Sequence, residues 1–195
     1  MTGGAPASAR DARWDFDEVS GRVVELSSRG AGAALTGAFG LVLDAQRRGE
    51  NVVWISARAA GFFAPDVAAG GVDLAALPVV LAVNPSAAGR AATHLLRSGA
   101  FGLVVLDLAA DQALPAPLLT RLSGLAQHHG AALLCLTDKG DEAPSLGSLV
   151  SLRVSAQREL SPEGGFRCVL TTLKDKRRGP GARLEEICRG PDGLR

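Results

Sequence analysis

The chain has 195 residues, a length that suits one domain built on a sheet of roughly five to seven strands with helices on it. Apolar residues make up 47% of it, charged residues 21% and aromatics 4%, with 24 glycines, which excludes a disordered chain and predicts a core of Ala, Leu and Val. A formal net charge of +1 excludes a surface devoted as a whole to holding nucleic acid.

The charge is unevenly spread. Lys174 to Arg195 carries an excess of basic residues and the rest a small acidic excess, so any surface for a polyanion or an acidic partner is expected near the C-terminus. Apolar runs reach about eight residues against the roughly 20 that cross a bilayer, and Met1 to Arg13 has no apolar signal core. These features predict a soluble cytoplasmic protein without membrane contact. Cys135, Cys168 and Cys188 form no CxxC pair and are odd in number, which suits buried thiols in a reducing compartment.

In chain order, residues 1–13 read as a flexible segment rich in Gly, Ala, Ser and Pro, and Trp14-Asp15-Phe16-Asp17 as the anchor where order begins. Arg22 to Leu26 is a strand running into Ser27-Ser28-Arg29-Gly30, after which Leu35, Phe39, Val42 and Leu43 recur at helical spacing up to Gly49. Asn51 to Ser56 and Val79 to Val83 are strands. Asn84-Pro85-Ser86 follows, with Ser86 the expected cap of a helix that carries Ala91, Leu95 and Leu96 and ends at Gly99. Phe101 to Leu106 is a strand stopped by Asp107, Leu118 to His129 a helix, and Ala131 to Leu136 a further strand.

Strands apolar on both faces and separated by helices predict an α/β fold with a mostly parallel sheet. After Asp138 the pattern changes. Leu149 to Gln157 and Phe166 to Leu173, joined by the polar stretch Glu159 to Gly165, read as an antiparallel hairpin at the sheet edge. The sequence contains no internal repeat.

A first strand that runs into a Gly-rich loop and a helix offers unpaired N–H groups to an anion. A working P-loop also needs G-x-x-x-x-G-K-[ST], with Lys against the β/γ oxygens and a hydroxyl on Mg²⁺. Ser27 to Thr36 lacks that pattern, and no Lys precedes Lys139.

Four stretches nevertheless resemble the RecA family. Gly21 to Leu26 is similar to the strand entering its P-loop, Val52 to Ala57 to its second core strand, and Gly70-Gly71-Val72-Asp73-Leu74 to the turn after it. The fourth and most specific is Asn84-Pro85 with its helix and Arg97 to Asp107, similar to the approach to the Walker B aspartate, which puts Asp107 at that position. The resemblance implies a RecA-like core over residues 14–178, with residues 179–195 as a C-terminal tail.

In a gapless register from Gly21, the family's P-loop glycines fall on Ser28 and Ala33, its Lys on Ala34, and its hydroxyl pair on Leu35 and Thr36. Only Thr36 keeps a contact group. The carboxylate that orients the attacking water corresponds to Arg58, whose guanidinium stays protonated and cannot act as a base. The polar switch residue corresponds to Thr137-Asp138. The stretches that correspond to the DNA-holding loops are short, and the second, Asp138 to Gly147, is acidic. No N-terminal polymerisation arm is evident, unless Trp14 to Phe16 is a remnant.

That set of losses resembles the ImuA family, RecA-like accessory proteins of bacterial mutagenic translesion synthesis related to SulA-type inhibitors. The resemblance runs from about Gly21 to Arg178. It implies a non-catalytic protein of the SOS response to DNA damage, with no cofactor and with weak or absent DNA binding. The implied partners are an ImuB-like Y-family polymerase homologue, RecA, and indirectly an error-prone replicative-type polymerase. Two alternatives remain open: a divergent NTPase that holds nucleotide through the Ser27 to Leu35 backbone with Arg29 or Arg58 assisting, and a SulA-type cell-division inhibitor.

The remaining candidates are weaker. Asp107 either holds Mg²⁺ through water or caps the following turn, and Arg29 is an anion contact or a solvated loop residue. His94, His128 and His129 have no carboxylate at ligand spacing and read as surface or helix-end groups. The basic cluster Lys174 to Gly181, with Lys176, Arg177 and Arg178, reads either as an exposed loop or as an electrostatic contact for a partner or DNA. Arg183, Leu184 and Ile187 belong to a short amphipathic segment that fits either the domain or a partner groove. Phe62-Phe63 form either a lid over the core or an interaction surface.

Overall fold

The apolar runs become strands because each buries both faces between helices, and the helices form where small and branched apolar residues recur every three or four positions. The computed structural model describes residues 13–30, 32–58, 62–108, 114–160 and 165–188. The expected N-terminal segment falls almost entirely outside them.

Along the chain come α1 (Phe16–Val19), β1 (Val23–Ser28), α2 (Ala34–Arg47), β2 (Val52–Ser56), α3 (Ala64–Ala69) and β3 (Val79–Leu81). They are followed by α4 (Pro85–Ser98), β4 (Leu103–Asp107), α5 (Ala116–His129), β5 (Ala132–Asp138), β6 (Leu152–Leu160), β7 (Phe166–Asp175) and β8 (Arg183–Cys188). Among the described residues the strands form one eight-stranded sheet in the order β3-β2-β4-β5-β1-β6-β7-β8. Pairing is parallel from β3 to β6 and antiparallel between β6, β7 and β8.

The α/β class, the mostly parallel sheet and the antiparallel hairpin of β6 and β7 are as expected. Three features differ. The sheet has one strand more than the length suggested, because the segment taken as a tail contains β8, whose Arg183 to Cys188 pairs with Thr171 to Phe166. The i, i+3 spacing of Leu184 and Ile187 is helical, so the strand is set by pairing with β7 and not by its apolar pattern. Asn84, not Ser86, caps α4: its Oδ1 accepts the Ala87 N–H at 2.8 Å, and Pro85 occupies the first helical position. Ser86 instead accepts a bond from Arg90 Nη1 at 3.0 Å. Trp14 to Asp17 does more than anchor, since Asp15 accepts the Glu18 N–H and starts α1.

The two faces carry separate cores. One joins α1, α2 and α3 to Val24, Leu26, Trp54, Val105 and Leu134; the other joins α4 and α5 to Val23, Val53, Val104, Leu106 and Leu133. α2 buries Ala34, Ala38, Leu41, Val42 and Ala45, one stripe at helical spacing. Close approach of α4 to α5 requires Gly89, where a Cβ would lie 2.5 Å from Leu118 Cδ2. Gly99 ends α4 at φ 68°, the left-handed conformation that only glycine adopts without strain. No helix among the described residues is long and apolar enough to cross a membrane.

β1 leaves through α2 over one face, while β5 leaves toward β6 through residues 139–151, whose Leu146, Leu149 and Val150 pack on the other, so adjacent β1 and β5 send their chains to opposite sides at their carboxyl ends. Ligands of open parallel sheets bind in the crevice such a reversal leaves.

Candidate functional site at the carboxyl end of the sheet

The crevice is bounded by the loop after β1. Register pairs Ser56 with Asp107 and Asp107 with Leu136, whereas Ser28 pairs with Asp138, so the Ser28–Asp138 pair stands two residues farther along the strand ends than the Ser56–Asp107 pair. A cavity of about 470 Å³ opens there, lined by Ser28, Arg29, Gly32, Gly140, Asp141, Ser155, Ala156, Gln157 and Arg158.

Two of its backbone donors are already engaged. The Gly30 N–H donates to Asp138 Oδ1 at 3.4 Å, and the Ala33 N–H at the start of α2 donates to the Ala156 carbonyl at 3.2 Å. The loop also lies tight on its own strand, since a Cβ on Gly32 would stand 2.4 Å from Ser28 Cβ and 2.9 Å from the Ala156 oxygen. A phosphate at this helix start would have to displace a carbonyl and a carboxylate at once. Asp141 accepts from Ser155 Oγ at 2.6 Å and from Gln157 Nε2 at 3.1 Å, adding negative charge to the cavity wall.

Arg29 is exposed on the cavity rim, and Thr36 is exposed on the first turn of α2. Arg58 and Asp107, two positions derived separately from sequence, meet: Nη1 lies 3.6 Å from Oδ1. Asp107 Oδ2 accepts from Ser56 Oγ at 3.3 Å, whereas Oδ1 has no hydrogen-bond donor. Burial pushes the Asp107 carboxyl above the usual carboxylate range, with Arg58 and the Ser56 hydroxyl pulling the other way. Arg58 therefore serves as the counter-ion of a buried carboxylate. The expectation that Asp107 caps a following turn falls on residues 109–113, which lie outside the described residues.

Sequence reasoning missed Glu25. It is fully buried on β1, where it accepts from Thr137 Oγ1 at 3.0 Å, Ser145 Oγ at 3.1 Å and the Leu146 N–H at 2.8 Å. Lys139 Nζ approaches its Oε1 at 2.5 Å and Arg153 Nε its Oε2 at 3.9 Å. Arg153 also donates to the carbonyls of Ala143 and Gly140. The short acidic stretch from Asp138 to Gly147 is thus tied to the central strand, and Thr137 belongs to that tie. The available signal was a lone acid inside the apolar run Val23 to Leu26.

A second buried node centres on Arg22, which binds Glu18 Oε1 at 2.9 Å, Asp175 Oδ1 at 2.6 Å and Ser151 Oγ at 2.9 Å. It joins α1, β1 and β7. Burial pushes Asp175 up, but the Arg177 N–H and the Arg22 guanidinium outweigh it and leave the carboxyl below its usual range.

This node reaches into the basic cluster. Arg178 pairs with Glu18 at 2.7 Å, Lys176 donates to the Ser148 carbonyl at 2.7 Å, and burial together with Lys176 lowers Lys174. Arg177 is exposed in the turn. Arg183 meets Glu185 at 2.9 Å and Glu159 at 3.6 Å, and Leu184 packs against the core on the α2 side. Ile187 lies in β8, but its side chain is outside the described residues, as is that of Cys188. The candidate partner-binding residues are therefore spread between a turn and an edge strand.

Phe62 and Phe63 divide the two roles posed for them. Phe62 packs edge-on against Phe39 and Trp54, which stack at 4.7 Å, while Phe63 is 67% exposed. His94 is exposed on α4, and His128 and His129 stand in the last turn of α5. Among the described residues no group of three or more His, Cys, Asp or Glu is placed to hold a metal ion. Cys135 and Cys168 are buried free thiols.

Neither a scan against protein-family models nor a search of curated proteins finds a match to this chain.

Proposed function

We propose that this chain is a non-catalytic, RecA-like accessory protein of DNA-damage-induced mutagenic translesion synthesis, of the ImuA type. It acts through contacts with an ImuB-like Y-family polymerase homologue and with RecA, in the cytoplasm. A RecA-like core is supported by the sequence resemblance, together with a central parallel strand feeding a loop and helix and with Asp107 at the carboxyl end of a nearby parallel strand.

The absence of ATP chemistry rests chiefly on one observation. Two of the backbone donors beside the phosphate-binding position, the Gly30 and Ala33 N–H groups, are bonded to Asp138 and Ala156, and the acid at the metal-binding position, Asp107, is paired with Arg58. Loss of nucleotide chemistry removes the cycle of assembly and release while leaving the sheet, its edges and its charged turn for other macromolecules. The Lys174 to Arg178 turn, braced by Arg22 and Glu18, is a preformed basic surface for an acidic partner.

Titration calorimetry with ATP and Mg²⁺ tests the first part: no binding heat is expected, and the Arg29→Ala chain behaves identically. Micromolar binding with hydrolysis would overturn it. Co-purification of the full chain with ImuB and RecA tests the second part, with Arg177→Glu expected to weaken capture. Failure of the unaltered chain to capture either protein removes the mutasome assignment.

A further inference from the structure

All three histidines of the chain and three of its arginines fall on two neighbouring helices that carry no acid. From Leu74 to Thr137 the sequence holds only two acidic residues: Asp107, buried against Arg58, and Asp111, which lies outside the described residues. α4 contributes Arg90, His94 and Arg97, α5 contributes Arg121, His128 and His129, and all six are exposed.

Surface helices ordinarily mix the two signs of charge and pair them. On the opposite face of the sheet this holds: α1 and α2 carry Asp17, Glu18 and Asp44, and Arg48 and Arg178 pair with them. On α4 and α5 none of Arg90, Arg97 and Arg121 has an acidic partner among the described residues, and Arg90 donates instead to the Ser86 hydroxyl at 3.0 Å. Arg90, His94 and Arg97 recur at i, i+4 and i+7, one stripe about 10 Å long, and Arg121 and His128 repeat the same interval on α5. The helices run side by side in the same direction, since a Cβ on Gly89 would meet Leu118 near their starts and one on Gly99 would meet His129 at their ends. Among the cations stand Ala91, Leu95, Leu118 and Leu125, each only partly buried.

We propose that the face formed by α4 and α5 docks an acidic protein segment, whose carboxylates supply the counter-charges absent from both helices. Charge complementarity sets the sign of the partner. Arginine set among partly exposed leucines sets its class, because that mixture is typical of protein interfaces. A nucleic acid fits less well. Neither helix carries a Phe, Tyr or Trp on which bases could stack, and three arginines fall short of the roughly six to ten phosphate contacts of strong duplex binding. The face is also bordered by the acidic stretch after β5, where Gly147 fits closely against Leu119 of α5 and Asp141 and Glu142 are exposed. A long polyanion would run into that like charge, whereas a short acidic segment stays clear of it.

Fluorescence anisotropy of a labelled polyglutamate peptide of about ten residues, long enough to span both stripes, reads this contact when titrated with the full chain. Saturable binding at low salt is expected, weakening as salt is raised. Combining Arg90→Gln, Arg97→Gln and Arg121→Gln, exposed helical positions where Gln has a similar propensity, lowers the affinity at least about tenfold and leaves the melting temperature unchanged. Because the probe is neither ImuB nor RecA, the result is read apart from the mutasome assignment. No binding, or equal affinity in the triple variant, overturns the proposal. Binding that Arg177→Gln abolishes and the triple variant retains belongs to the basic turn and overturns it too, as does a tighter hold by the same arginines on an oligonucleotide of equal charge.

Discussion

Removing the Arg22 side chain tests how far the buried charge node holds the molecule together. Arg22→Ala deletes the bonds to Glu18, Asp175 and Ser151 and leaves two carboxylates whose side chains are only 8% and 5% exposed. Breaking a buried pair by taking one partner costs about 3–5 kcal/mol. Arg178 still reaches Glu18 but is itself 49% exposed, so it compensates only in part and the expected loss is about 3 kcal/mol. For a domain of this size that lowers the melting temperature by roughly 6–12 °C.

The loss also depends on pH. In the native chain Asp175 lies below its usual range, so it stabilises the fold above the unfolded value of about 3.9 and that contribution is lost as pH falls through the folded value. Without Arg22, burial is less opposed and Asp175 shifts upward. The deficit is therefore largest near neutrality and shrinks at acid pH, where Asp175 takes up a proton. Urea unfolding followed through the fluorescence of buried Trp54, at pH 7 and pH 4, measures both effects. A loss under about 1 kcal/mol, or an equal deficit at the two pH values, would refute the assignment of Arg22 as counter-ion to buried carboxylates.

Asp107→Asn raises the urea midpoint at pH 7, because burial already holds this carboxyl above its usual range and its ionised form opposes folding; the gain disappears near pH 3, where the acid is protonated in both states. A lower midpoint at pH 7 would mean that the Arg58 pair outweighs burial. Gly32→Ala forces a methyl group against Ser28 and the Ala156 carbonyl and lowers stability by about 1–3 kcal/mol in thermal melts. In a Cys188→Ser chain, Cys135 and Cys168 are buried, and burial together with the Glu25 charge pushes the Cys135 thiol up, so an aromatic disulfide reagent reacts only after urea is added. Reaction in the native state would show that the core opens.

The parallel strands were legible because their only requirement is a continuous apolar run, and Val52 to Ile55 and Leu103 to Leu106 meet it without ambiguity. β8 was not, since Leu184 and Ile187 stand at helical i, i+3 spacing among Arg183, Glu185 and Glu186, and only pairing with β7 makes the segment a strand. The cap of α4 was misassigned by two residues because Asn and Ser both cap well, and only Pro85 at the first helical position separates them. Asp107 and Arg58 were each found from position in the chain. Their contact was not, because it depends on β2 and β4 lying side by side across about fifty residues of sequence. Glu25 escaped for a different reason: a buried acid is revealed only by the cations that surround it, and Lys139 and Arg153 arrive from beyond β5.

These contacts share a direction. Asp138 on Gly30, the Ala156 carbonyl on Ala33, Arg58 on Asp107, and Lys139 with Arg153 on Glu25 each satisfy within the chain a group that could otherwise meet a ligand. Opening the contacts at Ala33, Asp107 or Glu25 leaves a backbone donor or a charge buried and unpaired, which costs roughly 1–3 kcal/mol for a neutral group and more for a charged one, whereas the exposed Gly30 N–H can turn to water. A nucleotide would have to displace two of these groups at the helix start alone, without a P-loop lysine to offset the loss. Ala34→Lys alone is therefore expected to leave nucleotide binding undetectable, whereas Ala34→Lys combined with Asp138→Ala frees the Gly30 N–H and removes the competing carboxylate. Calorimetric binding by the single variant would show that the lysine alone was missing, and that the internal contacts yield at little cost.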